Sequence, residues 1–117
     1  MRAGNRYGKI LTLKEDEAAV KRAVKKRLNE LGAYHHWPVQ LGMGEPCLDC
    51  HGCLNGRYFA IETKKTGAKP TIRQRATAQK IRDAGGLTFV VDSTEQARAL
   101  FNDRISSDRP VTGPVQP

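Results

Sequence analysis

The stretch RYFAIETKK, residues 57–65, decides how the rest of the chain is read. Strand geometry sends alternate side chains to opposite faces. On that period Phe59 and Ile61 point into a core, with Thr63 on their side. Positions 58, 60, 62 and 64 take the other face, so Glu62 and Lys64 sit side by side. Such a pair is either ordinary cross-strand surface charge, worth little energetically, or half of a metal-dependent active site.

Immediately upstream, Asn55-Gly56 is a strong hairpin-turn signal. It makes CLDCHGCL, residues 47–54, the first arm of a hairpin and residues 57–65 the second. Pairing of the arms brings Asp49 and Glu62 onto adjacent strands, where one divalent cation could bridge them. Mg²⁺ or Mn²⁺ prefers such hard oxygen ligands. Lys64 could then orient or deprotonate an attacking water, or hold a scissile phosphate. The chemistry would be metal-assisted phosphodiester hydrolysis.

Downstream, TGAKP (66–70) is a loop and TIRQRATAQKIRDAGG (71–86) a helix. Thr71 and Gln74 fit a capping box and Gly85-Gly86 end it. Gln74 shares a stripe with Ala78 and Ile81, and capping alone accounts for it. LTFVVD (87–92) is a short, continuously apolar strand, expected to be central in a sheet. STEQARALFNDRI (93–105) is expected to be a third helix capped by Ser93 or Thr94.

Before the hairpin, TLKEDEAAVKRAVKKRLNELG (12–32) reads as a helix. Thr12 and Glu15 fit a capping box and Gly32 a C-cap. Val20, Val24, Leu28 and Leu31 recur at helical spacing. At ~100° per residue, Glu17 falls ~20° from Val24, Asp16 ~80° and Glu15 ~180°. Glu15 is then the solvated cap residue, and Glu17 the acid on the apolar stripe. A carboxylate there is costly unless paired or bound to metal. The alternative is that the stripe frays into solvent at the helix start, where the dipole favours an acid. Residues 33–46 are irregular or briefly extended. The expected architecture is one small mixed α/β domain over 12–106, between a loose lead-in (1–11) and a disordered tail (107–117) containing three prolines.

The 117 residues carry 20 Lys and Arg against 12 Asp and Glu, a formal charge of +8 that suits a polyanion partner, most often nucleic acid. Lys21, Lys25, Lys26 and Arg27 on the first helix, and Arg73, Arg75 and Lys80 on the second, could track phosphates. A solvated helix face explains any one of them equally well. No apolar run approaches the ~20 residues of a membrane span. MRAGNRYGKI lacks a secretory signal, so a cytoplasmic location is expected. Cys47, Cys50 and Cys53 are odd in number, which argues against a disulfide framework. As C-x2-C-x2-C they could bind zinc with His35, His36 or His51 as fourth ligand. Strand alternation turns Cys50 away from the other two and favours free thiols.

Asp49 followed by Glu62-Thr63-Lys64 resembles the PD-(D/E)XK nuclease signature. More narrowly, the chain resembles a stand-alone VRR-NUC domain of the kind encoded by bacteriophages. The resemblance runs from about Glu17 to Asp92, through EAAVKRAVKK, GAYHHWPVQLGMGEP, LDC, GRYFAIETKK, PTIRQ and DAGGLTFVV. Leu48 departs from it, standing where the family usually has proline. The resemblance implies a restriction-endonuclease-like core and a catalytic set of Glu17, Asp49, Glu62, Lys64 and Gln74. It implies Mg²⁺ or Mn²⁺ on Asp49, Glu62 and the Thr63 backbone carbonyl, with Glu17 a further candidate ligand. It also implies structure-selective cleavage of branched or flapped DNA, including Holliday junctions, often by homodimers, here in a bacterial host cytoplasm. The competing readings are a non-catalytic nucleic-acid-binding module derived from a nuclease and a zinc-stabilised binding domain.

Overall fold

The computed structural model describes residues 14–40, 42 and 44–102. The lead-in, Thr12 with its expected capping role, and the 107–117 tail lie outside the described residues. Helix α1 (Glu17–Leu31) starts later than its spacing predicts. Asp16 is its N-cap, and its side chain accepts the Ala19 N–H at 2.8 Å. A short carboxylate just before the stripe satisfies a donor that the first turn leaves without a partner. Val20, Val24 and Leu28 form the buried stripe. The helix ends at Gly32, as expected, with φ 74°. The Ala33 N–H reaches back to the Leu28 carbonyl at 3.0 Å, a Schellman closure.

Four strands follow: β1 (Tyr34–His36), β2 (Cys50–Leu54), β3 (Arg57–Thr63) and β4 (Leu87–Val91). They form one sheet in the order β1-β2-β3-β4. Asn55 (φ 53°) and Gly56 (φ 81°) make the hairpin turn between β2 and β3, with both central residues left-handed as a type I′ turn demands. β1 can lie close against β2 because Gly52 has no side chain. A Cβ there would stand 1.9 Å from the Tyr34 carbonyl oxygen.

Helix α2 (Ile72–Asp83) connects β3 to β4, which run parallel. Its capping box is complete: Gln74 N–H to Thr71 Oγ1 at 3.1 Å, and Thr71 N–H to Gln74 Oε1 at 2.9 Å. β4 is not central. Among the described strands it is an edge, paired only with β3, and its Val90 is 47% exposed. Its apolar run instead reflects cover of one face, where Leu87, Phe89 and Val91 pack into the α1-side core.

Helix α3 (Thr94–Arg98), capped by Ser93, is far shorter than the 93–105 segment predicts. Leu100 and Phe101 leave the helix to fill the core, and Phe101 takes φ 66° to do so. Its ring meets Phe59 at 5.3 Å and Phe89 at 5.1 Å, edge to face. Burying these rings offsets a backbone conformation that a bulky residue rarely adopts.

The main core lies between α1, α3 and one sheet face, with Phe59 and Ile61 fully buried as the alternation predicts. On the opposite face, Leu48, Ala60 and Ala78 form a second, smaller cluster with Ile81 beneath α2. The face that carries Glu62 is therefore not open surface at that end of β3.

Candidate active site

Asp49 and Glu62 meet where β2 and β3 end. The antiparallel register pairs Cys50 with Ile61, so Asp49 and Glu62 are the next opposing pair, one step beyond the ladder. Each carboxylate is tied to the other strand's backbone. The Asp49 N–H donates to Glu62 Oε1 at 3.2 Å, and the Thr63 N–H donates to Asp49 Oδ2 at 3.0 Å. The Thr63 hydroxyl adds a second bond to Oδ2 at 2.8 Å.

One oxygen of each acid is thus fixed. The other is held only by side chains: Asp49 Oδ1 by Gln40 Nε2 at 3.3 Å, Glu62 Oε2 by Gln74 Nε2 at 2.7 Å. Lys64 Nζ stands 3.6 Å from the same Glu62 oxygen. The Lys64 backbone N–H donates to the Val91 carbonyl at 2.9 Å, fixing the residue just beyond β3.

Glu62 is only 3% exposed. Burial, aided by the Asp49 charge, raises its carboxyl to about 7, against the opposing pull of Lys64. Two acids and one lysine leave this corner short of positive charge, which a divalent cation would supply. The donors fit a hard cation: carboxylate oxygens, with neither thiol nor imidazole among them. Among the described residues no group of three or more His, Cys, Asp or Glu side chains could hold a metal ion. The chain would therefore give two carboxylates, and a carbonyl such as that of Thr63 and water would have to complete the shell.

The sequence candidates divide. Asp49, Glu62, Lys64 and Gln74 converge. Glu17 does not join them by hydrogen bond or ion pair. It opens α1 half-exposed, 3.7 Å from Lys21, so the apolar stripe frays before reaching it. Arg73 and Gln74 line a groove of about 270 Å³ with Gln40 and Cys47. Arg75 lines one of about 320 Å³ with Glu62 and Val90. The two arginines thus flank the carboxylates. Lys25 instead lies over the Trp37 ring, 4.9 Å from its centre.

Glu15 is not a solvated cap. Its carboxylate accepts from the Thr94 N–H at 2.7 Å and from the Thr94 hydroxyl, while its backbone pairs with Thr66. These bonds tie the start of α1 to the loop after Lys64 and to α3. Cys50 is buried, Cys53 exposed and Cys47 between, and all three are free. Burial pushes the Cys50 thiol up to about 12, consistent with an inert core thiol. Spacing alone missed Gln40 and the Thr63 hydroxyl. A threonine on the core face of a strand beside two acids was the available signal for the second, because a buried hydroxyl needs a partner.

No family model matches the sequence, and no curated protein matches it. A search of solved structures does find a match, described as a VRR-NUC domain. The likeness has a TM-score of 0.62 at 26% identity and covers 79% of this chain and 96% of that one. No helix among the described residues is long and apolar enough to cross a membrane. With the four-stranded sheet, its flanking helices and nearly the full length of that domain matched, the chain is a VRR-NUC domain protein with a nuclease-like α/β fold.

Proposed function

We propose that the chain is a Mg²⁺- or Mn²⁺-dependent DNA endonuclease acting on branched or flapped DNA. The observation that carries this reading is the reciprocal tie between Asp49 and Glu62. It fixes one oxygen of each acid by backbone N–H and leaves the other pointing at side chains, beside Lys64. A surface ion pair needs no such buttressing.

A divalent cation held by Asp49, Glu62 and the Thr63 carbonyl would supply Lewis-acid polarisation of the phosphodiester. The side chains do the rest. Gln74, anchored by its own capping box, holds the Glu62 carboxylate in orientation. Thr63 does the same for Asp49. Lys64, only partly exposed, orients or deprotonates the attacking water and steadies charge developing on the phosphate. Arg73 and Arg75 contact DNA phosphates on the two sides of the site, and Lys21 and Lys25 do so more distantly. Glu17 is paired with Lys21 and would reach a cation only after leaving that pair. A four-way junction is one such branched substrate. Two symmetric incisions require two sites, hence a homodimer. A phage origin and the bacterial cytoplasm are the setting this reading implies.

The test is cleavage of labelled four-way junction, flap and linear duplex DNA with and without Mg²⁺ or Mn²⁺. Asp49→Ala and Lys64→Ala should each reduce metal-dependent cleavage by at least ~100-fold. Preferential junction cutting makes the chain a resolvase, while preference for flaps keeps the enzyme and discards that role. A folded wild type that binds DNA but cuts nothing with either metal overturns the reading in favour of a binding module.

A further inference from the structure

α2 covers the sheet only over β3 and β4, through Ala78 and Ile81 on Ala60 and Leu48. The same face of β1, β2 and the start of β3 is open, and it carries rings. Alternation puts Tyr34 and His36 on it from β1, His51 from β2 and Tyr58 from β3. Tyr34 is 67% exposed and Tyr58 45%. His36 meets His51 at 5.2 Å across the β1–β2 pair, and His51 meets Tyr58 at 6.1 Å across β2–β3.

A row of rings in contact across three strands, His36, His51 and Tyr58, with exposed Tyr34 on the same face, is unusual on a small folded surface unless something covers it. Arg57 and Lys80 share a groove with Tyr58 at the rim. Glu62 projects from the same face of β3 as Tyr58, four residues on, or about 13 Å at strand rise.

We infer that this open half of the sheet is a stacking platform for unpaired bases, which guides a single-stranded DNA segment toward the Asp49–Glu62 corner. Every base has a flat π-face, so rings of this kind bind single strands with little regard to sequence. The cationic rim and the charge of +8 suit the phosphates of such a strand. A blunt duplex keeps its bases stacked inside and cannot use the rings. The inference deepens the proposed nuclease function, on which it rests for the identity of the strand's destination. It selects flaps and gapped branches over fully paired arms.

The test is fluorescence anisotropy in EDTA at fixed low salt, with labelled oligothymidylate and a blunt duplex of equal length. A Tyr34→Ala/Tyr58→Ala protein should lose at least ~10-fold in affinity for the single strand. Its affinity for the duplex should hold, and a Tyr34→Phe/Tyr58→Phe protein should bind both DNAs as wild type does. Equal losses on both DNAs, or none, overturn the platform. Photocrosslinking of 5-iodouracil oligonucleotide to the wild-type chain keeps the test decisive should the alanine protein unfold. Crosslinks should map to β1, β2 and β3, and crosslinks confined to α1 overturn the inference. Loss of a dimer in the alanine protein with unchanged DNA binding would make the face a subunit interface instead. Failure of the nuclease reading looks different: wild type and Asp49→Ala would both bind oligothymidylate through the rings, and wild type would cut nothing.

Discussion

The two faces of β3 obey the same alternation and differ in everything it does not determine. Toward α1 and α3, Phe59, Ile61 and Thr63 are sealed, and apart from the Thr63 hydroxyl the surroundings are apolar. Toward α2, Tyr58 is exposed, Ala60 is buried under Ala78, and Glu62 is buried among polar groups. One face is uniform along its length. The other changes from open rings to a covered carboxylate within five residues. The uniform face sets stability. The graded face is where binding and chemistry can be separated, because a single helix covers only half of it.

Substitutions at adjacent positions break this comparison most sharply. Phe59→Ala removes a fully buried ring that packs on Phe101 and should cost about 3–5 kcal/mol of unfolding free energy. For a domain of this size that is a large part of the total. Tyr58→Ala, one residue away, should change stability by no more than about 0.5 kcal/mol. Urea denaturation of the two proteins measures both. Comparable losses would mean that the Tyr58 face is as closely packed as the Phe59 face, contrary to the exposure found here.

Thr63 sits where the two faces meet and gives the next largest effect. Its methyl belongs to the sealed side, while its hydroxyl and N–H both grip Asp49 Oδ2. Thr63→Val keeps the shape and deletes the hydroxyl bond. Stability should fall by about 1 kcal/mol. Metal-dependent cleavage should fall by ~10–100-fold, the usual consequence of freeing a ligand from its supporting bond. Thr63→Ser should restore most of the cleavage, and the Mn²⁺ concentration needed for half-maximal rate should rise only in the valine protein. An unchanged metal requirement would show that the backbone N–H alone positions Asp49.

Much of this was legible in the sequence because the signals were local. The Asn55-Gly56 turn, the Thr71–Gln74 box, the Gly32 stop and the 59/61 alternation each depend on a few neighbouring residues, and the structure has all of them. The turn and the alternation together put Asp49 opposite Glu62. What sequence missed depended on distant partners. The apolar run 87–91 looked central because helix cover and strand neighbours bury side chains alike, and only pairing shows that β4 is an edge. The periodicity of 93–105 gave no sign that Phe101 would leave the helix to meet Phe59 and Phe89. Glu17 lay on the stripe by angle, yet it opens the helix, where angle no longer implies burial.

Glu15 is the clearest case of a long-range role, and it gives the smallest predicted effect. Helical arithmetic sent it to solvent, but its partner Thr94 is 79 residues away. Those bonds, the Thr94 hydroxyl foremost, hold the Glu15 carboxyl below its ordinary value of 4.5. The folded state therefore favours the ionised form more than the unfolded chain does. The stabilisation is complete above the unfolded value and is lost as the pH falls through the lower folded value. Wild type should accordingly melt higher than Glu15→Gln at pH 7. The gap should narrow as the pH drops below about 4 and close once the folded carboxyl is protonated. Melting curves for the two proteins across pH 3–8 measure this, with Glu17→Gln, whose carboxylate pairs only with exposed Lys21, as the control. A constant gap would mean that the amide of glutamine fails for reasons of shape. A gap that closes with acid would show that charge on Glu15 clamps α3 to the start of α1, whose backbone is in turn bonded to Thr66 in the loop after Lys64, so that the sealed face helps to hold the catalytic corner in place.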